Sequence, residues 1–150
     1  MQSLARWTAL MALIGCGLVM TNSSSGAQRR SPVSVARLYT GSDGQTHIEM
    51  IDIKLPSTNA GGEQSVLLAG TGIQFRRFPP SWVNDWHTAP QRQYVITLSG
   101  RSEVEMAGGK KFVNNPGQVV LAEDLNGKGH ITRTLGTEDW VSVAVPAPQK

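Results

Sequence analysis

From about residue 36 onward, short apolar runs alternate with turns built from glycine, proline and asparagine. Residues 46–55 (THIEMIDIKL) are rich in β-branched side chains and partly alternate between apolar and polar. Residues 37–40, 65–69, 72–78, 93–99, 102–106, 110–113, 118–122, 130–135 and 140–145 read as further strands. Between them stand GSDGQ (41–45), PSTNAGGEQ (56–64) and PPSWVNDW (79–86), the last an irregular approach to His87. Strand-length runs at this spacing, bounded by residues that favour tight turns, predict an all-β sandwich or barrel. Outside the first 27 residues the sequence carries no solenoid-type repeat and no helical period of useful length.

Alternation assigns faces, because successive side chains on a strand point to opposite sides. Gln93, Val95 and Thr97 share one face; Tyr94, Ile96 and Leu98 share the other. With Gln93 inward, the Tyr94 face is outward yet apolar, and needs cover from the N-terminal segment or a second subunit. A homodimer is therefore expected. His130, Thr132 and Thr134 share a face, and small threonines beside a histidine suit a cavity lining. Arg76 and Arg77 are neighbours on one strand, so one points inward and one outward. An inward arginine suits an anionic ligand; an outward one is surface charge.

The first 27 residues read as an export signal rather than as part of the fold. Arg6 precedes an apolar run over residues 7–20, and TNSSSGA follows it. Ser25 and Ala27 are the small residues that signal cleavage before Gln28 needs. The run is shorter than the roughly 20 residues of a membrane span. A second reading stays open: LIGC at 13–16 resembles a lipobox, which would place a lipid anchor on Cys16. Both readings send the chain out of the cytoplasm, to the periplasm or beyond. Residues 28–35 read as a flexible leader and 36–150 as one domain, a length that can bury a core of its own. Cys16 is the single cysteine, so a chain cut before Gln28 has neither disulfide nor thiol chemistry. The formal charge is +3, with basic residues scattered rather than clustered, which gives no footprint for nucleic acid. The sequence shows no nucleophile elbow and no phosphate loop.

The stretch WHTAPQRQYVITLSG, residues 86–100, carries the candidate chemistry, together with PGQVVLAEDLNGKGH, residues 116–130. About half the chain, residues 72–145, resembles a cupin, a small jelly-roll β-barrel. His87, Gln93 and Gly100 stand at the spacing of the first histidine, the glutamate and the closing glycine of the first cupin motif. Pro116, Gly117, Gly127 and His130 match the second motif, with about two extra residues before the histidine. SDGQTH near residue 42 adds a likeness to a poorly characterised subgroup of small cupins.

The resemblance implies a divalent transition metal (Fe, Mn, Zn, Ni or Cu) held by three histidines and a glutamate, with positions left open for substrate or oxygen. This chain departs from that pattern twice. Ala89 stands where the second histidine belongs, and Gln93 where the glutamate belongs. The metal-ligand candidates are thus His87, Gln93 and His130. His47 lies outside the motif, and Glu123 and Asp124 are carboxylates placed shortly before His130. Asp85 is a candidate orienting partner for His87. Trp82 and Trp86 either wall the pocket or pack against the barrel rim. Trp86 and Thr132 are the candidate substrate contacts. Three functions follow: a metal-dependent enzyme of the oxygenase, isomerase or lyase type, a non-catalytic ligand-binding cupin with a degenerate metal site, or a structural dimer without a ligand.

Overall fold

The computed structural model describes residues 30–149, so the signal-peptide and Cys16 expectations fall outside the described residues. Ten strands make up the compact unit Ser31–Lys150. They are β1 (Val33–Thr40), β2 (Thr46–Ile53), β3 (Gln74–Phe78), β4 (Val83–His87), β5 (Gln93–Ser99), β6 (Arg101–Glu105), β7 (Lys111–Asn114), β8 (Val119–Glu123), β9 (His130–Leu135) and β10 (Trp140–Pro146). One sheet has six strands in the order β2-β1-β8-β5-β10-β3; the other has four, in the order β4-β9-β6-β7. The fold is all-β, a two-sheet sandwich. Among the described residues, no ladder closes one sheet onto the other.

Local chemistry explains the turns. GSDGQ joins β1 to β2, with Thr40 opposite Thr46 in the ladder. Asp43 Oδ1 accepts the Gln45 N–H at 3.0 Å, and Gly44 takes φ +71°, so an aspartate turn and a left-handed glycine reverse the chain. Gly100 joins β5 to β6 at φ +66°. A Cβ there would fall on the Asp139 carbonyl, so only glycine fits.

The sheets are held together by side chains that alternate inward. Ala36, Leu38 and Val120 of the six-stranded sheet pack against Val104 of the other and against Met106, which follows β6. Fully burying a side chain such as Leu38 stabilises by about 1.5–3 kcal/mol. A second cluster is aromatic: the Phe78 ring lies 4.1 Å from that of Trp82 and 5.1 Å from that of Trp140.

The strand pattern differs from expectation in three places. Residues 65–69 form no strand, and Val66 and Leu67 are 74% and 97% exposed. β-Branched and apolar content favours a strand only where a partner edge and a face to pack on exist. Conversely, VNDWH, read as irregular, is strand β4. Its asparagine and aspartate disfavour a strand, but the ladder to β9 overrides them. β1 begins at Val33, inside the segment read as a leader, because Val33 to Val35 pair with Ile51 to Ile53.

Candidate functional site

The β4–β9 ladder sets His87 directly opposite His130. Their ring centroids lie 4.4 Å apart with the planes tilted by 59°. Gly129 makes this approach possible. It takes φ +76°, and a Cβ on it would fall on the His87 carbonyl.

Each imidazole is oriented through Nδ1. His87 Nδ1 donates to the backbone carbonyl of Asp85 at 2.7 Å. His130 Nδ1 donates to Asp124 Oδ2 at 2.6 Å, and Thr46 Oγ1 donates to the same oxygen at 2.9 Å. Asp124 is fully buried, and its Oδ1 has no hydrogen-bond partner. A carbonyl or carboxylate oxygen accepts, so each ring presents an N–H at Nδ1 and turns Nε2 the other way. Burial pushes the His87 pKa below its ordinary value, and the neighbouring His130 adds to the effect.

A cavity of about 300 Å³ lies between the sheets. Its apolar wall comes from Leu38, Phe78, Trp82, Val95, Val104 and Trp140. Its polar groups include Arg76, Asn84, Gln93, Ser102, Asn114, His130 and Thr132. Gln93 comes from the six-stranded sheet and His130 from the other, so the structure brings them to one space from opposite walls.

Gln93 is buried, with Val95 and Thr97 on its face of β5, as alternation predicts. Its Oε1 accepts from Arg76 Nη2 at 3.0 Å. Arg76 is the inward arginine; Arg77 is outward, 3.7 Å from Asp139. Arg76 Nε also donates to Gln74 Oε1 at 2.8 Å.

Several candidates sit elsewhere. Trp86 does not line the cavity. It is 40% exposed, and the Lys128 ammonium lies 4.4 Å above its ring. Edge position explains this, since β4 pairs on one side only and Trp86 points away from the face of His87. Trp82 is the tryptophan before His87 that does line the cavity. His47 is exposed and bonded to Asp43 at 3.0 Å. Glu123 is held by Arg37 and Arg92. Asp85 serves His87 through its carbonyl, while its carboxylate caps the Trp86 N–H. Sequence reasoning missed Thr46 and the Ser102–Asn114 pair. A buried threonine at a strand start carries no signal, and the pair meets only across the β6–β7 ladder.

The donor set tests the metal implied by the cupin likeness. Ala89 is buried and brings no donor atom. The Gln93 oxygen is engaged by a guanidinium, and a metal cation beside it would be repelled. Among the described residues no group of three His, Cys, Asp or Glu is arranged to hold an ion. The side chains therefore do not fit a four-ligand metal centre. Neither the protein-family models nor the curated proteins give a match to this chain.

Proposed function

We propose that this protein is a small cupin-type jelly-roll domain that binds a small organic molecule between its sheets without turning it over. The observation that carries the reading is the Arg76–Gln93 hydrogen bond, which fills the former glutamate position with a neutral amide facing a fixed cation. A concave space with apolar walls and a few convergent polar groups is the usual form of a ligand site.

A second reading, a metal-dependent oxygenase, isomerase or lyase, is favoured by one feature. Both histidines give Nδ1–H to an acceptor and hold Nε2 free, the arrangement common to metal-ligating histidines. Elemental analysis separates the two. The protein is measured as purified and after reconstitution with Fe, Mn, Zn, Ni or Cu, beside His130→Ala. The binding reading expects no stoichiometric metal in any preparation. One equivalent of metal that disappears in His130→Ala would overturn it in favour of the enzyme.

Export and self-association belong to the same proposal. Leu98 and Phe75 are 48% and 70% exposed, which supports a homodimer, and light scattering should give twice the chain mass. Intact mass after expression with the native N-terminus should give a chain starting at Gln28; an acylated Cys16 would replace soluble export by a lipid anchor.

A further inference from the structure

We propose that the ligand of this cavity is a small apolar monocarboxylate, bound through its carboxylate to Arg76; the inference rests on the cavity being a ligand site. Arg76 is half-buried in the cavity wall. Of its five N–H donors, two are accounted for, and both go to neutral amide oxygens, those of Gln74 and Gln93. No ion pair to Arg76 occurs among the described residues. The other half-buried arginines have carboxylates: Arg37 and Arg92 share Glu123, and Arg133 holds Glu103 and Glu105. Burial lowers the Arg76 pKa, with no carboxylate to oppose the effect.

The rest of the lining fixes the charge and character of the partner. The residues around the cavity contain no Asp, Glu or Lys, and Arg76 is their one permanent cation. A single negative charge balances it, whereas a dianion would bury an uncompensated charge. A planar carboxylate takes two parallel hydrogen bonds from a guanidinium, and Nη1 of Arg76 donates to neither glutamine. The apolar body of the ligand then lies among Leu38, Phe78, Trp82, Val95, Val104 and Trp140. On the opposite sheet, Ser102 Oγ and Asn114 Oδ1 are buried and have no partner in the protein. They line the same cavity and offer hydrogen bonding to one further polar group on the ligand.

Isothermal titration calorimetry tests the inference with octanoate, 3-phenylpropionate and 4-phenylbutyrate, each beside its primary amide. Phenyl phosphate is the dianion control. For the carboxylates that bind, affinity should exceed that of the amide by about tenfold or more, the usual worth of a charge-assisted pair. Arg76→Met should remove that preference, and Arg76→Lys should keep part of it. The acid-to-amide comparison on the unsubstituted protein does not depend on the variants folding. Equal binding of acid and amide would overturn the carboxylate assignment and leave the pocket standing. Tighter binding of phenyl phosphate than of every monocarboxylate would overturn the single-charge argument. Failure of every acid and every amide to bind would overturn this inference together with the ligand-site reading beneath it.

Discussion

Removing the Asp124 carboxylate is expected to be among the most damaging changes to this fold. The side chain is fully buried. Its Oδ2 takes two hydrogen bonds, from His130 Nδ1 at 2.6 Å and from Thr46 Oγ1 at 2.9 Å. Asp124→Ala leaves both donors buried without an acceptor. Hydrogen bonds to a charged group contribute about 1.5–3 kcal/mol each. The expected loss is therefore about 3–5 kcal/mol, or roughly 10–20 °C in Tm for a domain of this size. Thr46→Val removes only one of the two bonds, and about 1.5–3 kcal/mol should be lost. Urea unfolding of the two single variants and of the double variant, followed by tryptophan fluorescence, gives the coupling between them. Because both bonds share one oxygen, the Thr46 change should be nearly silent once Asp124 is gone. A loss below about 1 kcal/mol for Asp124→Ala, or full additivity of the pair, would refute this account of how His130 is held.

Three further outcomes follow from the geometry. Gly129→Ala puts a Cβ against the His87 carbonyl at a positive φ; it should cost about 2–4 kcal/mol in urea unfolding, and an unchanged midpoint would contradict the register of β4 on β9. Ser142→Ala removes a fully buried hydroxyl that has no partner; its unfolding midpoint should stay level or rise, and a loss above about 1 kcal/mol would show that the hydroxyl is bonded. The native His87 ring resists protonation, because burial lowers its pKa from an ordinary value of 6.5. Above pH 6.5 neither state takes up the proton, and this residue adds no slope. As pH falls below 6.5 the unfolded chain binds the proton first, so stability declines toward the lowered native pKa. Unfolding midpoints at pH 8, 6.5 and 5 should show that decline, and His87→Gln should flatten it; equal slopes in the two proteins would remove His87 as the cause.

Much of the site was legible because it rests on spacing. His87 and His130 each stand beside a glycine-punctuated turn, and alternation groups Gln93 with Thr97 on β5 and His130 with Thr132 and Thr134 on β9, groupings that the burial pattern repeats. The inward member of the Arg76–Arg77 pair is not legible, since alternation says only that the two differ. Its identity depends on which face of β3 meets the other sheet. The same holds for Trp82 and Trp86, which look equivalent before His87. Only the edge position of β4 sends Trp86 to solvent.

The sequence by itself determined the all-β character, nearly all of the strands, and the glycine turns at Gly44 and Gly100. These are properties of neighbouring residues: side-chain period, turn chemistry and backbone freedom at φ above zero. The tertiary structure decided what depends on residues far apart in the chain. It made VNDWH a strand by giving it β9 as a partner, and denied one to residues 65–69. It set Asp124 and Thr46 behind His130 across 78 positions of sequence. It also turned Gln93 from a candidate metal ligand into the acceptor for Arg76. A hydrogen bond between residues 17 apart in sequence, on two strands of one sheet with β10 between them, is a matter of packing, and packing is what periodicity alone does not encode.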